Sequence, residues 1–122
     1  MGHQFEELSS RILNAAVEVH KALGPGFLES IYENALVVAC KHRNIQFEKQ
    51  KEIHVMFEGE DVGLHRLDLV FESTIVVELK AVKALEDVHF AQLKSCLKAT
   101  GLGVGLLLNF NAPTLVVKRV VL

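Results

Sequence analysis

Three side chains within one fifteen-residue stretch have the types and spacing to do chemistry: Asp68, Glu78 and Lys80, in Arg66-Leu67-Asp68-Leu69-Val70-Phe71-Glu72-Ser73-Thr74-Ile75-Val76-Val77-Glu78-Leu79-Lys80. Apolar residues alternate on both sides of Glu72-Ser73-Thr74, as in a hairpin of two half-buried strands. On the first strand Leu67, Leu69 and Phe71 form the apolar face, and Arg66, Asp68 and Val70 the opposite one. On the second, Ile75, Val77 and Leu79 are apolar, with Val76, Glu78 and Lys80 behind them. Matching the two apolar faces fixes the parity of the register. A loop at 72–74 keeps that parity and sets residues whose numbers sum to 146 opposite one another. Asp68 then faces Glu78, and Arg66 faces Lys80.

Directly opposed carboxylates destabilise a sheet, and burial sharpens the repulsion. A positive charge belongs between them, and two sources fit. One is the mixed-charge face itself, with Lys80 and Arg66 supplying it in a weak surface network. The other is a divalent metal such as Mg²⁺, which takes one or two carboxylates and keeps several waters. The Leu79 carbonyl would add a third oxygen. Lys80 shares the face of Glu78, where it could orient or help deprotonate a metal-bound water and stabilise developing negative charge.

The elements that must hold these residues follow from periodicity. Leu8, Ile12, Ala15, Ala16, Val19 and Leu23 recur at helical steps, and Gly24-Pro25-Gly26 stops that helix. A second helix is predicted over 28–42 with Ile31, Ala35, Val38 and Ala39 inward. Ile53, Val55 and Phe57 alternate as a strand, and Glu58-Gly59-Glu60-Asp61 reads as a turn. Strands over 64–71 and 75–81 follow. Residues 86–100 return to helical spacing, with Val88, Cys96 and Leu97 among the apolar positions and Gly101 as a stop. Residues 105–110 are nearly all apolar, as in a central strand buried on both faces. Asn111-Ala112-Pro113 ends that strand, and 115–122 makes a last one. The order ααβββαββ predicts a single α/β domain over 1–122. Its mixed sheet has about five strands, and a helical crossover allows strands three and four to run parallel.

Composition narrows the function classes. The 122 residues are half hydrophobic, enough for one core, and 13 basic against 15 acidic residues exclude a polybasic coat protein. Residues 1–61 are net acidic and 62–122 mildly basic, so any nucleic-acid contact is local. Cys40 and Cys96 stand far apart without a CxxC partner, and the histidines (His3, His20, His42, His54, His65, His89) form no HxxxH pair, so neither a disulfide scaffold nor a zinc ribbon is indicated. Both cysteines fit buried apolar positions, and alternation sets His65 on the face away from Asp68. No basic-then-apolar leader and no membrane-length apolar run is visible, so a cytoplasmic protein is expected. With few aromatics, extended base stacking is not indicated.

Asp68, nine intervening residues, then Glu78-Leu79-Lys80 resembles the D-(x)n-(E/D)xK signature of the PD-(D/E)xK nuclease superfamily, with Leu67 where that signature carries proline. Gly26-Phe27-Leu28-Glu29-Ser30-Ile31-Tyr32 matches the GxxExxY motif, which names a small bacterial and archaeal family placed in that superfamily. The resemblance extends over nearly the whole chain. It implies a restriction-endonuclease-like fold and a Mg²⁺- or Mn²⁺-dependent phosphodiesterase acting on DNA or RNA. It also implies that Asp68, Glu78, Leu79 and Glu29 hold the metal, that Lys80 assists the attacking water, and that Gln92 stands close to that lysine. The residues alone leave other readings open. A glutamate in a first helical turn is favoured by the helix dipole. Tyr32, three residues after Glu29, either hydrogen-bonds the site or packs. Gln92, in line with Val88 and Cys96, is either buried with a partner or at the solvent edge, and Lys94 and Lys98 either touch phosphates or are simply solvated.

A second functional class competes with hydrolysis: a non-catalytic nucleic-acid-binding or assembly module that keeps the nuclease fold. The apolar last strand, at a sheet edge, would invite a homodimer in either case.

Overall fold

The computed structural model describes residues 5–122. Its elements run α1 (Glu6–Leu23), α2 (Glu29–His42), β1 (Phe47–Phe57), β2 (Glu60–Phe71), β3 (Ile75–Lys80), α3 (Asp87–Thr100), β4 (Val104–Asn109) and β5 (Val116–Val121). The five strands form one sheet in the order β1-β2-β3-β4-β5, antiparallel except for the parallel pair β3 and β4. The architecture is the mixed α/β sheet with flanking helices that the periodicity predicts, and it is consistent with a restriction-endonuclease-like fold. Strand β4, apolar but for Asn109 at its end, is buried at every position, as a strand with helices on both faces requires.

Two cores sandwich the sheet. On one face α1 and α2 cover Leu69, Phe71, Ile75, Val77, Leu79, Leu106 and Leu108. On the other, α3 covers Leu67, Val70, Val76 and Leu107 with Leu93, Cys96 and Leu97. The α3 layer sits close to β4: a Cβ on Gly105 would lie 2.8 to 3.0 Å from the Leu93 side chain. This approach sets α3 over Glu78 and Lys80.

Helix α1 buries the predicted stripe, and Gly24, with φ 68°, ends it. Helix α2 is rotated from the expected face. Its stripe is Tyr32, Leu36 and Cys40, while Ile31 and Val38 are exposed at 39% and 52%. Ala35 and Ala39 are partly buried, as expected. The rotation follows from Tyr32, whose ring is fully buried and stacks on Phe110 at 4.7 Å. The aromatic pair outweighs the smaller gain of burying Val38. In α3, Val88 is exposed at 54%, while Phe90, Leu93, Cys96 and Leu97 turn to the sheet.

Strands β1 and β2 are longer than alternation indicates, because the charged residues from Glu48 to Glu52 conceal the start of β1. The two strands are joined at Glu58 (φ 50°) and Gly59 (φ 81°), the two left-handed residues a tight hairpin turn requires.

Candidate active site

The β2–β3 register is the expected one: Phe71 pairs with Ile75, Val70 with Val76 and Leu69 with Val77. The ladder then ends, although β2 extends back to Glu60 and β3 forward to Lys80. At the parting point the Asp68 carboxylate accepts the Leu79 N–H at 2.9 Å, in place of a strand-to-strand bond. On its other side the β1–β2 ladder passes from Lys49–Leu69 to Lys51–Leu67 without a Gln50–Asp68 pair, and Gln50 has a left-handed φ of 53°. Strict alternation breaks here. Leu67 and Leu69, expected on one face, pack into opposite cores. The break brings His65, which alternation sets on the other face, into the same cavity as Asp68.

That cavity, of about 240 Å³, is lined by Asp68, Glu78, Lys80 and Gln92, with His65, Arg66, His89, Leu93 and Cys96 completing its wall. The Asp68 and Glu78 carboxyls face the same cavity and act on each other electrostatically. Burial first, and then the charge of Asp68, raise the Glu78 pKa well above the carboxylate range, against the opposing pull of Lys80. The Glu78 carboxyl therefore keeps a proton near neutral pH. Glu29 does not line the cavity, but it belongs to the same electrostatic unit. Its pKa is raised by burial and by Asp68 and lowered by Lys80. The parted strands allow α2, on the opposite face, to couple with this group. Arg66 does not neutralise the pair, because it turns to Glu52 on β1 at 2.9 Å. Lys80 remains as the cation among the acids.

Gln92 reaches the cavity from an exposed position, which selects the solvent-edge alternative. Tyr32 packs and hydrogen-bonds, but not to the acids: its hydroxyl donates to the Gly24 carbonyl and accepts the Phe27 N–H at 3.1 Å. It thereby fixes the loop that delivers Glu29.

Several supporting residues escape sequence reasoning. Cys96 is buried as expected, yet its Sγ lies 2.8 Å from His65 Nε2 and donates to Glu78 Oε1 at 3.6 Å, a polar contact that hydrophobic periodicity conceals. Burial, followed by the charge of Glu78, pushes the Cys96 thiol up to about 12. Buried Glu33 accepts from Gln50 Nε2 at 2.9 and 3.0 Å, beside the gap that frees Asp68. Buried Asn109 binds both the N–H and the carbonyl of Val82, at 3.1 and 2.9 Å, which pins the chain just after Lys80. Polar residues in an apolar run, such as Asn109 after Leu106-Leu107-Leu108, were the available signal.

Among the described residues no three His, Cys, Asp or Glu side chains already surround one point as metal ligands. The donor chemistry nevertheless suits a hard dication, because two carboxyl groups on one cavity wall and a third within electrostatic range share one lysine.

Among curated proteins none matches the chain. The solved structure of SSO0001 superposes with a TM-score of 0.59 at 19% identity, covering 97% of this chain. At that identity the likeness shows the fold alone, and this chain spans 59% of the length of that one. The sequence model of the PD-(D/E)XK nuclease superfamily matches residues 6–120, so the chain belongs to that superfamily.

Proposed function

We propose that this single domain is a metal-dependent nuclease of the GxxExxY group that hydrolyses phosphodiester bonds in DNA or RNA. Asp68, Glu78 and Glu29, with the Leu79 carbonyl, would hold Mg²⁺ or Mn²⁺, which when bound supplies a water of lowered pKa and neutralises charge on the phosphoryl oxygens. The observation that carries this reading is the convergence of Asp68, Glu78 and Lys80 on one cavity. The raised pKa of Glu78 means that a dication bound there would displace a proton. Lys80, on the same cavity wall, would orient the water and stabilise developing negative charge. Gln92, at the cavity edge, offers an amide to hold the phosphate or the water. Asn109 and the Phe110 N–H, which donates to the Lys80 carbonyl at 2.9 Å, keep the lysine in register with the acids.

The exposed outer strand β5 offers an edge for a second copy of the chain, which supports a homodimer. Among the described residues no helix is long and apolar enough to cross a membrane.

A non-catalytic module is favoured by one observation, the absence of a ready-made three-ligand cluster among the described residues. Cleavage assays on DNA and RNA with Mg²⁺ and Mn²⁺ decide between the two readings. Hydrolysis is expected to need the metal and to fall about a hundred- to a thousandfold in Lys80→Ala, the range seen when a charge-stabilising group is removed. Cleavage that persists in EDTA and in Lys80→Ala would overturn the mechanism. Calorimetry that detects neither Mg²⁺ nor Mn²⁺ would favour the binding module.

A further inference from the structure

Next to the acidic cavity lies a larger one, of about 460 Å³, and His65 lines both. It opens between the β1–β2 hairpin and the C-terminal half of α3. Val55, Met56 and Ala99 make its apolar surface. His54, Ser95 and Lys98 supply its polar groups. We propose that this cavity receives one unstacked nucleobase, with its flanking phosphate on Lys98, so that the site takes a single polynucleotide strand or a frayed end; this deepens the nuclease reading and rests on it for the link to cleavage.

Three observations support this occupant. The first is adjacency: His65 lines both this cavity and the one that holds Asp68 and Glu78, so a strand with its scissile phosphate at the acids would lay a neighbouring nucleotide here. The second is the chemical division of the lining. A base presents an apolar π-face and polar edges. Met56 offers a polarisable sulfur to the face, and such contacts adapt to any base. His54 and Ser95 stand where the edges would reach. His54 Nδ1 contacts Asp61 Oδ2 at 2.7 Å, which leaves its Nε2 for a ligand. The third is charge. The hairpin tip carries Glu58, Glu60 and Asp61 and repels a polyanion, whereas Lys98 draws one to the α3 side. A base inside a duplex is stacked on both faces and has no face to give, so a pocket of this kind selects an unstacked strand.

The experiment measures binding without metal, in EDTA, by anisotropy of labelled oligothymidylate, oligouridylate and a blunt duplex of equal length. Both single strands, or one of them, should bind about tenfold or more tightly than the duplex. Met56→Ala and Ala99→Glu should each weaken single-strand binding about fivefold or more. Both positions are exposed, and unchanged circular dichroism and melting would confirm folding. Lys98→Ala should flatten the salt dependence by about 0.7 in log–log slope, the loss of one phosphate contact to a single strand. Equal duplex binding, unchanged affinity in both folded variants, or no oligonucleotide binding would overturn the pocket. Failure of the nuclease reading would look different: binding and its response to the variants would persist while no metal supported cleavage.

Discussion

Replacing Glu78 by glutamine should stabilise the metal-free protein at alkaline pH while removing its response to metal. Glu78 and Asp68 line one cavity, and the pKa of Glu78 is raised, first by burial and then by its neighbour. In the unfolded chain the same carboxyl titrates near its ordinary value of 4.5. Below that value the proton is present in both states and its contribution to stability is intact. As pH rises toward the elevated folded value, the unfolded chain loses the proton first, so stability falls with pH. Ionising both acids in the fold would set two unit charges against each other at about 4 kcal/mol for a separation of about 4 Å and an effective dielectric of 20, so the folded protein holds the Glu78 proton instead. Lys80 offsets part of this, and holding at pH 8 a proton that the unfolded chain has lost costs about 2 kcal/mol. Glutamine needs no such proton and can donate its amide to Asp68. Thermal unfolding in EDTA should therefore show Glu78→Gln melting about 6 °C above wild type at pH 8, with little difference at pH 4. Adding Mg²⁺ should raise the wild-type melting temperature by several degrees and leave the variant nearly unchanged. A variant that melts below wild type at pH 8 would show that the Glu78 carboxylate is already satisfied as an anion, and the retained-proton account would fail.

Two further substitutions test the scaffold that aims the site. Gly105→Ala places a methyl 2.8 to 3.0 Å from the tip of Leu93, so α3 or the leucine must shift, and urea unfolding should show a loss of about 1–3 kcal/mol. Tyr32→Phe removes the hydroxyl that joins Gly24 to Phe27 while keeping the stack on Phe110, and should cost about 1–2 kcal/mol. Under the nuclease reading, that variant should also lower cleavage by loosening the loop before Glu29, measured at saturating Mg²⁺.

Hydrophobic period alone determined most of the fold, because burial on one or both faces writes itself into local sequence. The α1 stripe, the nearly all-apolar β4 and the β2–β3 register from Leu69–Val77 to Phe71–Ile75 were all legible. Tertiary structure decided what local pattern cannot encode. The rotation of α2 depends on Phe110, far along the chain, which draws Tyr32 inward and turns Val38 to solvent. The break in alternation at Asp68 arises where three strands meet and one ladder ends. That break brings His65 to the acids, and Cys96 reaches them only because Gly105 lets α3 descend onto β4. These are contacts between residues distant in sequence, set by packing whose energy is shared across the whole sheet, so no window of the chain contains them.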